Sequence, residues 1–130
     1  VALSRAALIA VIDDDTAVCD AMSSLVRSAG YLSATFDSAE TFLESSCVSC
    51  VDCILLDISM ARMNGLDLHL AMRRTNGDIP VIFVTATNDR AARERALSQG
   101  AIAFLLKPVD DDALLMAIRT ALHGSSSSER

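Results

Sequence analysis

Apolar residues fall along this chain in two rhythms. Four short runs are apolar without a break: LIAVI at 8–12, CILL at 53–56, VIFV at 81–84 and FLL at 104–106. Uninterrupted runs of that length predict strands buried on both faces. Between them, apolar positions recur at helical spacing, as in Ala17, Ala21, Leu25 and Ala29. The pattern predicts strands over 8–13, 31–36, 52–57, 80–85 and 102–106. It predicts helices over 16–29, 38–43, 64–74, 88–99 and 110–122. Stop and start signals agree: Gly30 and Gly100 suit helix ends, and Ser38 is a capping residue with Thr41 at the capping-box position. Asn64-Gly65 opens the third helix, Asn88 or Asp89 caps the fourth, and Pro80 begins the fourth strand. Gly124 and the serine run 125–128 read as a flexible tail or linker, which gives one domain over 1–123 and a tail over 124–130.

Strand and helix alternate five times, which demands a parallel sheet with right-handed crossovers. The expected fold class is α/β, a flavodoxin-like (βα)5 doubly wound domain with a five-stranded parallel sheet of order 2-1-3-4-5. Its switch point lies between strands 1 and 3, where such sheets bind ligands at the carboxyl ends of the strands.

Composition narrows the choice of function. The 130 residues suit one domain, and 52% apolar residues suffice for a core. A net charge of −6, a single lysine and no tryptophan argue against nucleic acid as a direct partner. The apolar start, Val1 to Ile12, is too short to span a bilayer and runs straight into Asp13. It reads as the first strand rather than a leader, so no membrane role and a cytoplasmic location are expected. Val1 in place of Met suggests a trimmed chain or an excerpt, and a stand-alone domain and a piece of a longer regulator both fit.

Each apolar run ends on a residue with useful chemistry. The first ends on Asp13 and Asp14, the second on Asp57, the third on Thr85 and the fourth on Lys107, followed by Pro108. In a parallel sheet these ends share one edge. Three carboxylates packed together repel unless a cation intervenes, and a hard divalent ion such as Mg2+ takes oxygen ligands with a phosphate completing its shell. A carboxylate such as Asp57 can act as a nucleophile toward phosphorus, while Lys107 and Thr85 neutralise and orient the transferring oxygens. Pro108 is a candidate cis position.

Taken as a set, Asp13-Asp14, Asp57 followed by Met60 and Gly65, Thr85-Ala86 and Lys107-Pro108 resemble the receiver domain of two-component response regulators. The resemblance covers residues 7–122, and the spacing is closest to FixJ- and NarL-like regulators. It implies that Asp57 is the phosphoacceptor. It also implies that Asp14 is a direct metal ligand, Asp13 a water-mediated one, and the Ser59 backbone carbonyl a further metal oxygen. Thr85 would be the switch hydroxyl, Lys107 the phosphate-binding cation and Phe104 the aromatic switch residue. Mg2+ would be the cofactor. A sensor histidine kinase would supply the phosphoryl group. The 88–122 surface would act on an output domain, an effector protein or a second copy of the chain. The implied role is a phosphorylation-controlled regulatory domain, not an enzyme beyond its own phosphorylation and dephosphorylation. The chain departs from the family in one place: Met60 is followed by Ala61 where Pro is usual, which removes one fixed φ from the loop.

Two other classes fit less well. An aspartate-nucleophile phosphatase of the haloacid-dehalogenase kind needs Asp-x-Asp-x-Thr or Val, and Ala17 stands at the last position. A flavodoxin-like carrier needs a Ser/Thr/Gly phosphate loop, where this chain has Asp13 to Asp15. Among the remaining residues, Asp15 raises a question of register beside the Asp13-Asp14 pair. Cys47, Cys50 and Cys53 make C-x2-C-x2-C, read as small apolar filler, a Cys47–Cys50 contact or disulfide, or a metal site lacking its fourth ligand. Arg90, Arg93 and Arg95 form a solvated face, or a contact to Asp110, Asp111 and Asp112 of another molecule. His69 and His123 read as surface residues.

Overall fold

In a computed structural model that describes residues 6–75 and 77–128, with side chains to His123, five parallel strands form one sheet. The strands are β1 (Leu8–Ile12), β2 (Leu32–Phe36), β3 (Cys53–Leu56), β4 (Val81–Thr85) and β5 (Ala103–Leu106). Their order is β2-β1-β3-β4-β5, as the alternation demands. The helices are α1 (Thr16–Ser28), α2 (Ala39–Glu44), α3 (Gly65–Thr75), α4 (Arg90–Ser98) and α5 (Asp111–Ser128), with a 3-10 turn over Ser46–Ser49. Residues 1–5 of the expected first strand segment lie outside the described residues.

Strand periodicity sorts the core into two layers. Ala10, Ile12, Ile54, Leu56 and Phe83 face α2, α3 and α4, against Phe42, Leu68, Met72 and Ala96. Ile9, Val11, Cys53, Leu55, Ile82 and Val84 face α1 and α5, against Met22, Val26, Leu114 and Ile118. Both faces of the central strands are therefore covered, which is why their sequences are unbroken apolar runs.

Local signals place the helix starts. The Asp15 carboxylate accepts from the N–H groups of Ala17 and Val18, so Asp15 caps α1. The Ser38 hydroxyl accepts from the Thr41 N–H at 3.0 Å and meets the Thr41 hydroxyl at 2.7 Å. Asp89, not Asn88, caps α4 by accepting from the Ala91 N–H at 3.0 Å. Asn64 caps α3, its side chain accepting from the Asp67 N–H at 2.9 Å. α5 differs from expectation: the helix carries on past Leu122, through Gly124 and the serines, to Ser128. Glycine costs about 1 kcal/mol in a helix and serine less, and no proline breaks the run. Lys107-Pro108 is a cis peptide.

Candidate functional site

The crevice lies where β1, β3, β4 and β5 end. Backbone hydrogen bonds extend the ladders one residue past the strands and fix the first atoms of the site. The Asp13 N–H donates to the Phe36 carbonyl at 3.0 Å, and the Asp57 N–H to the Ile12 carbonyl at 3.0 Å. The Lys107 N–H donates to the Thr85 carbonyl at 2.9 Å. Asp13, Asp57 and Thr85 are buried, while Asp14 faces solvent.

Carboxylate oxygens of Asp13, Asp14 and Asp57 lie within 4.8 Å of one another. Lys107 Nζ reaches Asp13 Oδ2 at 2.7 Å and Asp57 Oδ2 at 3.5 Å. The other Asp13 oxygen accepts from the Asp15 N–H at 2.9 Å. Burial pushes the Asp57 carboxyl above its ordinary range; the Thr85 hydroxyl opposes this, the Asp13 charge adds to it, and Lys107 again opposes it. Burial works against the Lys107 ammonium, but its hydrogen bond to Asp13 and the charge of Asp57 outweigh that, and its pKa is raised.

The donor set fits a divalent ion. Three acceptor-only groups share a space too small for three anions, and one lysine offsets only part of their charge. Carboxylate oxygens are the donors that a hard cation such as Mg2+ prefers. Asp15, turned to the helix cap, stands outside this group. The question of register therefore resolves in favour of Asp13 and Asp14 as the clustered pair.

Thr85 and Phe104 sit on neighbouring strands. Phe83 pairs with Phe104 and Thr85 with Leu106, so the period of two puts Thr85 and Phe104 on one face of the sheet. Phe104 is partly buried against the α2–α3–α4 core layer, its ring centroid 6.1 Å from that of Phe83. Ser59 belongs to the loop after β3, and its hydroxyl meets the Thr87 hydroxyl at 3.0 Å, joining two loops across the mouth of the crevice.

Gly65 explains the loop's shape. A Cβ there would collide with the Asp57 carbonyl oxygen and lie 2.9 Å from the Ile58 Cα. Its N–H donates to the Ile58 carbonyl at 2.9 Å. The start of α3 is thus pressed onto the backbone of Asp57 itself.

Sequence reasoning missed three contributors. Glu40 of α2 accepts the Met63 N–H at 3.1 Å and ties the loop after β3 to the neighbouring helix; an acidic residue in a first helical turn gives no hint of that reach. Arg62 adopts a φ of 64°, in the same loop that lacks the usual proline, and nothing in its residue type foretells it. His69 is not a surface residue: it is 1% exposed, with its ring edge-on to Phe83 at 5.4 Å. A place on the inward face of α3, one residue after Leu68 and three before Met72, was the available signal. Arg95 approaches Asp67 of α3 at 3.8 Å and Arg90 approaches Glu94 at 3.6 Å, all on exposed side chains.

Comparison with known proteins agrees with this geometry. The family model for the response regulator receiver domain matches residues 9–119. The response regulator protein TodT of Pseudomonas putida is 41% identical over 118 residues, covering 91% of this chain and 52% of that protein. The transcriptional regulatory protein FixJ of Bradyrhizobium diazoefficiens is 33% identical over 112 residues, covering 86% of this chain and 55% of that protein. The chain spans about half the length of the curated relatives it matches. Among solved structures, response regulator StyR superposes with a TM-score of 0.85 at 37% identity, covering 96% of this chain and 63% of that one. A CheY-like receiver domain protein from Methanospirillum hungatei superposes with a TM-score of 0.87 at 25% identity, covering 95% and 99%.

The fold and the family match define a signalling domain. The chain belongs to the response regulator receiver domain family. Among the described residues, no helix is long and apolar enough to cross a membrane.

Proposed function

We propose that this domain is the phosphoacceptor module of a cytoplasmic two-component system, taking a phosphoryl group from a sensor histidine kinase onto Asp57. The observation that carries the reading is the clustering of Asp13, Asp14 and Asp57 within 4.8 Å, with Lys107 Nζ 3.5 Å from Asp57 Oδ2. In the transfer, a carboxylate oxygen of Asp57 bonds to phosphorus and the bond to the donor nitrogen breaks. The donor nitrogen keeps the electron pair.

Asp14 and Asp57 would hold Mg2+ directly with the Ser59 carbonyl, and Asp13 through water. When bound, the ion supplies positive charge that screens the carboxylates from the incoming phosphoryl oxygens. Lys107 meets the same oxygens from the β5 side. Thr85 supplies a hydroxyl at the end of β4, one position past the apolar run, where it can turn toward the new phosphate.

A phosphoryl group on Asp57 carries about −1.5 to −2 charges and strong acceptor oxygens. Drawing the Thr85 hydroxyl inward frees space on the face shared with Phe104. Phe104 lines a groove of about 560 Å³ between α4 and β5, together with Arg90, Arg93, Leu97 and Leu106. Repacking there changes the 88–122 surface, which we assign to an output domain or effector protein. The effect is a shift between two pre-existing states.

The test uses acetyl phosphate with Mg2+, read by intact mass, and beryllium fluoride with Mg2+, read by chemical-shift mapping. Wild type should gain one phosphoryl group, and Asp57→Asn none. Shifts should reach Phe104 and α4. Equal labelling of Asp57→Asn overturns the acceptor assignment. Shifts confined to the crevice overturn the switch.

A further inference from the structure

The C-x2-C-x2-C run lies outside the crevice, at the opposite edge of the sheet, with Cys47 and Cys50 before β3 and Cys53 as its first residue. All four cysteines of the chain are free thiols, and burial divides them into two kinds. Cys19 and Cys53 are buried. Burial, aided by the charge of Asp13, pushes the Cys19 thiol up to about 11, and burial pushes the Cys53 thiol up to about 12. Both stay protonated near neutral pH and closed to solvent, which makes them poor nucleophiles.

Cys47 and Cys50 are different. Cys50 is exposed and Cys47 partly so. Cys47 is the second residue of the 3-10 turn Ser46–Ser49, and Cys50 is its final cap. The Cys50 N–H donates to the Cys47 carbonyl at 2.9 Å. That bond closes a four-residue turn, and such a turn holds its first and last Cα atoms within about 7 Å. Disulfides span Cα separations of about 4.4–6.8 Å. Cys47 is partly packed against the core layer, while the exposed Cys50 thiol points to the Ser46 carbonyl at 3.8 Å, so closure takes a rotamer change at the free Cys50 side chain. The Ser45 hydroxyl accepts from the Cys47 N–H at 3.2 Å and holds the start of the turn in place.

We propose that Cys47 and Cys50 form a thiol-redox modification site, closing to an intramolecular disulfide under a peroxide oxidant. In the first step one thiolate attacks the peroxide oxygen. The O–O bond breaks, the leaving hydroxide takes up the proton that the thiol had released, and the products are a sulfenic acid and water. In the second step the other thiol sulfur attacks the sulfenic sulfur. The S–O bond breaks, a second water leaves, and the S–S bond forms. Two thiols and one hydrogen peroxide thus give one disulfide and two waters. A dithiol reductant reverses it by exchange. Cys50, the more exposed, is the sulfur that the oxidant meets first. Cys53 is three residues beyond Cys50, but it lies in β3, fully buried and paired in the sheet, so it does not compete.

The experiment treats the reduced protein with a small excess of hydrogen peroxide. Remaining thiols are capped with maleimide under denaturing conditions, and the intact mass is read. Cappable thiols should fall from four to two, with loss of two hydrogens and no added oxygen, and dithiothreitol should restore all four. Cys47→Ser and Cys50→Ser should each abolish the two-hydrogen loss, whereas Cys53→Ala and Cys19→Ala should keep it. Added oxygen without disulfide in the wild type overturns the proposal. So does a disulfide that persists in Cys50→Ser, or one that links two chains. Serine is close to cysteine in size, Cys50 is exposed and Cys47 only partly packs against the core layer, so circular dichroism of both variants should match the wild type, which separates lost chemistry from lost fold.

Discussion

Lys107 sits 2.7 Å from Asp13 and only 3.5 Å from Asp57, so its ammonium is shared unequally between the two buried carboxylates. Among the described residues, Lys107 is the cation that pairs with Asp13. Replacing it by methionine leaves Asp13 buried and uncompensated. Breaking a fully buried pair costs about 3–5 kcal/mol. Lys107 is one-fifth exposed, so a loss of about 1–3 kcal/mol is expected here. Mg2+ affinity should move the other way, because a cation competing for the same oxygens has gone. Denaturation without metal and calorimetric Mg2+ titration of Lys107→Met check both signs. Weaker Mg2+ binding in the variant would contradict the shared-cation account.

Asp14 and Asp15 are neighbours with separable roles. Asp14 joins the carboxylate cluster and is exposed, so it carries no cap and no packing. Asp15 accepts two N–H groups at the start of α1. Asp14→Ala should abolish Mg2+ binding with little change in stability. Asp15→Ala should keep Mg2+ binding and lose about 1 kcal/mol of stability, the usual cost of an N-cap. Metal titration and thermal unfolding of the two variants give the answer; the reverse pattern would place the site one residue along.

Gly65→Ala should be far costlier than an ordinary helix substitution. Alanine at an open helix position stabilises relative to glycine by about 1 kcal/mol. Here the added Cβ strikes the Asp57 carbonyl, which is backbone and cannot step aside. A loss of about 1–3 kcal/mol is expected, in the range of overpacking, with slower phosphorylation because the acceptor's own peptide must shift. Unfolding and phosphorylation rates measured on one preparation check it. A more stable Gly65→Ala would refute the contact.

Much of this was legible in the sequence, for physical reasons. Strands buried on both faces show as unbroken apolar runs, and the end of each run is where a polar residue must face the crevice. That is why Asp13, Asp57 and Thr85 stand out in the sequence; Lys107 follows the edge strand β5, whose apolar run is only partly buried. Caps were legible at Ser38 and at Asn88-Asp89 because short polar side chains bond locally, whereas the Asp15 cap was hidden by the two aspartates before it. Contacts made across elements were not legible. Glu40 reaches a loop 23 positions away, and the Ser59–Thr87 bridge spans 28. The register of α3 against β4 decides which side of His69 is covered, and that register is a tertiary fact.

His69 supplies the pH dependence. Burial lowers its pKa, with the Arg73 charge adding to the effect. Its ring packs against Phe83, and Nδ1 has no hydrogen-bond partner. The unfolded histidine, near 6.5 by the usual reference, therefore binds a proton more readily than the folded one. Stability from the neutral ring is whole above about pH 6.5 and is lost as pH falls below it. Asp57, with its pKa raised, acts with the opposite sign over the acid range, since protonating it relieves a buried charge. The two are separated by comparing variants rather than by one curve. Urea unfolding of wild type and His69→Leu at pH 7 and pH 5 should give similar stability at the higher pH. Between pH 7 and pH 5 the wild type should lose more stability than His69→Leu, because only the wild type has a buried ring that resists taking up the proton. Leucine fills the same inward position of α3 and has no proton to take up, so parallel losses in the two proteins would mean that His69 takes up its proton as easily in the folded state as in the unfolded one.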